Sequence, residues 1–264
     1  MIELKKVWVA GKLIDPIIEG GKGVALSTGL TCGRFAKENC AGTFSAVMAD
    51  TYDENGKPNA VVLRGSTPKE RNKELMEISI KGGVQNAEIA YKESEGNGRI
   101  FMNILWGLSN SREILEGILE RAKGKIHGIS VGAGMPYQLG EIAEKFKVYY
   151  QPIVSSTRAF KALWSRGFEK TKDWLGGVIY ECPWTAGGHN GLSGAEDPKV
   201  KEDSFSRIAE LRKFMNSVGL ATVPIIIAGG IWTLSECAQY IDNPEIAPVA
   251  FQLGTRPILT QESP

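Results

Sequence analysis

Eight short apolar runs limit how this chain can fold. They lie at residues 13–19, 42–48, 99–105, 126–131, 147–154, 177–181, 223–228 and 248–253, mostly separated by stretches of helical periodicity. Near-continuous apolar runs of this length suit strands covered on both faces, as in parallel sheets. Eight such units in a row favour closure into a (β/α)8 TIM barrel over an open doubly wound sheet. No Gly-x-Gly-x-x-Gly follows the first run, which argues against a dinucleotide-binding open sheet. The 264 residues match the length such a barrel needs, typically ~250. A single domain over 1–264 is expected.

Local signals fill in the remainder. Residues 3–12 read as a small hairpin with Gly11 at the turn. A helix is expected over 28–39, and residues 50–66 are a polar, turn-rich excursion. Thr67-Pro68-Lys69-Glu70 is a capping box with proline at the first helical position. The helix it starts carries Gly82-Gly83, a pair expected to bend or split it. Further helix starts are expected at Asn110 with Glu113, near residue 137, at Ser155-Ser156-Thr157, and near Asp203 after a long loop from Cys182. Thr233-Leu234-Ser235-Glu236 is a second capping box. The excursion at 50–66 is open to three readings: a lid, a disordered segment or a subunit contact.

Charge and composition exclude several classes. Thirty-one basic and thirty acidic residues nearly cancel, so there is no field for nucleic acid. No apolar run approaches the ~18–20 residues of a membrane helix. The start of the chain leads into no signal-peptide core. Cys32, Cys40, Cys182 and Cys237 show no Cys-x-x-Cys spacing, and only two histidines are present, so no metal site is expected. Reduced thiols and a cytoplasmic location are expected.

In a barrel of this kind ligands bind at the carboxyl ends of the strands, and phosphate is often held after the seventh and eighth. The seventh run ends in Ala228-Gly229-Gly230-Ile231 and the eighth in Gln252-Leu253-Gly254-Thr255-Arg256. Glycine N–H groups, the Thr255 hydroxyl and the Arg256 charge suit a phosphorylated ligand. The other reading is that these glycines only make tight turns. The sixth run leads into a loop with the second histidine, Ala186-Gly187-Gly188-His189-Asn190-Gly191.

These motifs, with Pro16-Ile17-Ile18-Glu19-Gly20-Gly21, Gly132-Ala133-Gly134-Met135-Pro136 and Pro152-Ile153-Val154-Ser155-Ser156, occur in an order that resembles the nitronate monooxygenase (2-nitropropane dioxygenase) family. The flavin-dependent enoyl-acyl-carrier-protein reductases are related to it. The likeness runs from about residue 13 to 258. It implies FMN at the top of the barrel. Gly229, Gly230, Gly254 and Thr255 match its phosphate binders, and Gln252 and Leu253 open the last motif. Asn103 matches a flavin-contacting asparagine. Gly187 and Gly188 lie beside the flavin, and the backbone of Gly20, Gly21, Lys22 and Gly23 faces its ring.

Three departures stand out. Lys22 replaces the methionine of many members; it either stabilises a reduced flavin anion or is a solvated loop lysine. Cys182 stands where many members have a flavin-binding glutamine, and we read it as a small buried residue rather than a redox nucleophile. Glu181, one residue earlier, is the alternative group to point inward. Finally, the sequence ends about ten residues after the last strand with no eighth helix, so either it is a fragment or another subunit covers the gap; homo-oligomerisation is one outcome.

The resemblance implies oxidation of alkyl nitronates or nitroalkanes with O2. His189 would be the catalytic residue, as general base or as a partner for the nitronate. His127, at the start of the fourth run, falls at the opposite, stability end. Trp184, Met135 and Tyr137 either wall the substrate pocket or simply pack. Two alternatives remain: an FMN enzyme that uses NAD(P)H to reduce enoyl thioesters or quinones, and a barrel that has lost catalysis.

Overall fold

The computed structural model describes residues 4–24, 26–187, 191–192, 196–197 and 199–264. The chain opens with an antiparallel hairpin of β1 (Val7–Val9) and β2 (Lys12–Ile14). Its turn residues, Ala10 and Gly11, both have positive φ, as a tight hairpin requires. Eight parallel strands follow: β3 (Ile17–Glu19), β4 (Ala41–Ser45), β5 (Arg99–Leu105), β6 (Gly128–Gly132), β7 (Tyr149–Val154), β8 (Val178–Glu181), β9 (Ile225–Ala228) and β10 (Val249–Leu253). They form a closed barrel, sealed where β10 pairs with β3 and Leu253 lies beside Glu19. The expected TIM barrel with an N-terminal hairpin is the fold.

The first apolar run divides differently from the sequence reading. Residues 12–14 belong to the hairpin, and the barrel strand begins only at Ile17, after Pro16. Proline has no N–H to give a ladder, so the strand restarts beyond it. Val7, Val9 and Ile14 then pack with Ile18, Phe101, Ile179 and Ile226, and the hairpin closes the lower end of the lumen. Full burial of each large side chain contributes about 1.5–3 kcal/mol.

Among the described residues six helices wrap the outside: α1 (Gly29–Lys37), α2 (Pro68–Glu93), α3 (Ser111–Arg121), α4 (Leu139–Phe146), α5 (Thr157–Arg166) and α6 (Ser204–Ser217). Both capping boxes form. At Asn110 the expected cap does not: the residue is left-handed and its side chain caps nothing. Gly82 and Gly83 do not split α2, which runs unbroken for 26 residues. Their role is close packing, since a Cβ on Gly82 would lie 2.3 Å from the Ala49 carbonyl and one on Gly83 2.2 Å from Ile118. After β9 the capping box opens only a short 3-10 turn, 234–237, and another, 256–259, follows β10. Asp242, at positive φ, and Pro244 interrupt any longer helix there.

Arg212 of α6 fixes the approach to the last two strands. Its buried guanidinium donates to the carbonyls of Ile246, Val223 and Pro248 at 2.9–3.0 Å and of Leu220 at 3.4 Å. Those carbonyls belong to the segments that enter β9 and β10. The 50–66 excursion runs along α2: Gln85 bonds both backbone groups of Tyr52, and Glu74 accepts from Arg64 and Gly65 N–H. Among the described residues no helix is long and apolar enough to cross a membrane.

Candidate active site

Strand parity decides which residues face the lumen. Ile100, Met102 and Ile104 of β5 join the outer core under the helices, so Phe101 and Asn103 point inward. By the same alternation the lumen receives Thr43 and Ser45 from β4, Ser130 from β6, Gln151 from β7, Glu181 from β8, Ala228 from β9 and Gln252 from β10. The lower half is apolar. The upper half, at the carboxyl ends, is polar and almost fully buried.

This polar half is incompletely satisfied. Asn103 Nδ2 donates to the Ser130 carbonyl at 3.1 Å, and Ser130 Oγ donates to Gln151 Oε1 at 3.1 Å. Gln151 Nε2 and Thr43 Oγ1, both buried, have no partner among the described residues. An unpaired buried polar group costs roughly 1–3 kcal/mol, so orphans of this kind mark a place for a polar ligand or water. Glu181 has no hydrogen-bond partner among the described residues either, and burial pushes its carboxyl above the usual range. Sequence inspection passed over Thr43, Ser130 and Gln151. Their signal was a small or polar residue at alternate positions inside otherwise apolar strands.

The loop after β3 crosses the mouth. Gly20 N–H donates to the Leu253 carbonyl at 2.8 Å, and Gly20 packs on Gln252. A Cβ on Gly21 would lie 2.3 Å from that of Asn103, so only glycine lets the backbone lie there. Gly23 stands over Val47 and Ser45. Lys22 is not the solvated loop lysine of the second reading. Its ammonium sits 2.9 Å from Glu19 Oε1 and 3.1 Å from the Gly20 carbonyl, only 11% exposed. Glu19 is fully buried on the helix side of β3, and burial raises its carboxyl against the opposing pull of Lys22.

The two glycine loops lie side by side. Gly229 and Gly230 take φ of +92° and +77°, a conformation that costs other residues dearly. Thr185 Oγ1 donates to the Gly229 carbonyl at 3.0 Å, tying the loop after β8 to the loop after β9. Arg256 reaches back from the last loop to the Trp232 carbonyl and lies over the Trp232 ring. Gly254 has open space where a Cβ would stand, and Thr255 is exposed. These two loops and the polar lumen therefore fit a phosphate tail with a flat polar head.

The remaining site candidates divide. Cys182 lies on the face opposite Glu181, in the outer core, with Ser204 Oγ 3.3 Å from its sulfur. The one-residue offset that brings Glu181 into the lumen turns Cys182 out of it. Gly187 is exposed. Gly188 and His189 lie outside the described residues; on the far side of them, the Gly191 carbonyl accepts from Ser155 Oγ at 2.9 Å. His127 is at the lower end, where its Nδ1 accepts from the Ile100 N–H and burial, with Arg99 and Lys12 nearby, pushes its pKa down to about 4. Trp184, Met135 and Tyr137 pack on the outer core, Trp184 beneath the Arg207 guanidinium.

A closed parallel barrel whose last two strands end in glycine loops beside a buried polar mouth defines the phosphate-binding class of TIM barrels. The family model for nitronate monooxygenase matches residues 79–264, and the chain belongs to that family. No curated protein matches the sequence. Among solved structures, FabK from Thermotoga maritima is 18% identical with a TM-score of 0.58, covering 94% of this chain and 60% of its own. A nitroalkane oxidase from Streptomyces ansochromogenes is 14% identical, TM-score 0.59, covering 94% of this chain and 67% of its own. A mandelate oxidase variant solved with an FMN adduct is 11% identical, TM-score 0.55, covering 97% and 69%. At such identities the likeness is one of fold. This chain spans about 60% of the length of FabK.

Proposed function

We propose that this chain is an FMN-dependent oxidoreductase that oxidises alkyl nitronates with O2. The observation that carries the reading is the pairing of two glycine loops with a polar, partly unpartnered lumen at one end of the barrel, in a member of the nitronate monooxygenase family. Gly229, Gly230, Gly254 and Thr255 would hold the phosphate. The backbone of residues 20–23, with Asn103, Gln252, Leu253 and Glu181, would hold the ring. FMN supplies the electron acceptor that the side chains lack.

The chain's own residues orient and exclude water. The Lys22–Glu19 pair fixes the loop that crosses the mouth. Glu181 retains a proton more readily than an ordinary carboxyl, which lessens its repulsion of an anionic substrate. His189 is proposed as the base that takes the α-proton of a neutral nitroalkane, on the strength of the family motif alone. His189→Ala should then keep FMN and lose most turnover with neutral nitroalkanes, while preformed nitronates still react.

The deciding experiment is an absorbance spectrum of purified protein, followed by anaerobic titration with a nitronate and with NADPH. Bleaching by the nitronate supports the proposal. Bleaching by NADPH alone turns the reading to a reductase of enoyl thioesters or quinones. Colourless protein that takes up no added FMN defeats both and leaves a barrel without redox chemistry.

A further inference from the structure

The lower end of the barrel, opposite the mouth, gathers positive charge with no carboxylate to answer it. Four half-buried side chains meet there from four elements: Lys12 opens β2, Arg99 opens β5, His127 precedes β6 and Tyr149 opens β7. Backbone bonds hold the three strand starts together. His127 N–H donates to the Ile100 carbonyl at 2.9 Å, and Tyr149 N–H donates to the His127 carbonyl at 3.0 Å. The hairpin turn lies across them. A Cβ on Gly11 would stand 2.7 Å from the Tyr149 hydroxyl, and Lys12 Nζ donates to the Gly96 carbonyl, three residues before Arg99, at 3.2 Å.

Two observations on different residues point to an anion. The first is Arg99. Its guanidinium makes no hydrogen bond and no ion pair among the described residues, and burial works against its charge. Leaving a partly desolvated charge unpaired is unfavourable. The second is His127. Its Nδ1 accepts from the Ile100 N–H at 3.0 Å, so the neutral ring carries its proton on Nε2 and has a donor to spare. Burial and the charges of Arg99 and Lys12 all press against protonation of this ring, and no carboxylate opposes them. Two cations, an imidazole N–H and a phenol thus face one rim, and every one of them can donate.

We propose that this rim is an oxyanion site that takes inorganic phosphate. The Arg99 fork and the Lys12 ammonium pair with the anion, and His127 Nε2 and the Tyr149 hydroxyl donate to it. Bound there, phosphate ties the hairpin turn to the starts of β5, β6 and β7. The site lies at the other end of the barrel from the glycine loops, so the inference does not rest on the flavin reading.

The test titrates the purified protein at pH 7 with inorganic phosphate, against sodium chloride at equal ionic strength. The His127 ring is followed by proton–nitrogen NMR and assigned by the signal lost in His127→Gln. This readout is local, so phosphate bound at the mouth does not imitate it. The expected result is a saturable shift of the Nε2 signal with phosphate, with a Kd of ~1 mM. Arg99→Met and Lys12→Met should each weaken binding about tenfold, as loss of a charge-assisted contact does. A His127 signal that phosphate leaves unmoved overturns the proposal, as does one that sodium chloride moves equally. Wild-type affinity in both variants also overturns it. Lys12→Met, at the edge of the hairpin, carries the test if Arg99→Met fails to fold.

Discussion

Removing the ammonium from Lys22 tests whether a buried pair braces the loop over the barrel mouth. Lys22→Met leaves the fully buried Glu19 with the Thr43 N–H at 3.4 Å and the Thr31 hydroxyl. A carboxylate so poorly solvated takes up a proton instead. The loss is then capped by the work of protonating a carboxyl of ordinary pKa, about 4.3, at about 1.4 kcal/mol per pH unit. That cap is about 4 kcal/mol at pH 7.5 and about 1 kcal/mol at pH 5. The sign follows from a folded pKa above the unfolded one: stability is intact below about pH 4 and is lost as pH rises towards the folded value. Glu19→Gln added to Lys22→Met removes the stranded charge and should return stability to within about 1 kcal/mol of wild type. Urea unfolding followed by circular dichroism at both pH values reads all three proteins. A Lys22→Met protein as stable as wild type at pH 7.5, or weakened equally at both, would refute the reasoning.

The same physics gives three shorter predictions. His127 stays neutral in the fold with its pKa held down to about 4, so its contribution is present above about pH 6.5 and lost as pH falls towards 4. Wild type should lose roughly 2 kcal/mol more over that window than His127→Gln, read from urea midpoints. Arg212→Met strands four carbonyls and should cost roughly 3 kcal/mol, and Arg212→Lys should recover little, because an ammonium cannot span them. Thermal melts of both variants check this. Gly230→Val combines a positive φ with a Cβ 2.8 Å from that of Thr185, and should weaken FMN binding about tenfold or more in a fluorescence titration while the barrel still folds. Unaltered affinity would remove that loop from phosphate binding.

The barrel was legible because its signals are local. Apolar runs of strand length, the Thr67–Glu70 and Thr233–Glu236 boxes and the paired glycine loops each depend on neighbours within a few residues. The site was legible only in part. Motif order pointed to residues 20–23, 103, 229–230 and 252–255, all of which lie at the carboxyl ends of the strands. Helix length after Thr233, the meaning of Gly82-Gly83 and the break at Pro16 depend on what packs against them, which no local window contains.

By itself, then, the sequence determined the eight-fold alternation, the closed parallel barrel it implies and the two loops suited to phosphate. Tertiary structure alone decided which face each residue serves. Glu181 and Cys182 are neighbours in the chain, yet strand pairing sends one into the mouth and the other to the outer core, because side chains alternate and a shift of one residue exchanges the faces. It likewise decided that Lys22 is not a solvated lysine. Its ammonium is held by Glu19, a carboxylate that the fold has buried and that needs a counter-charge within reach.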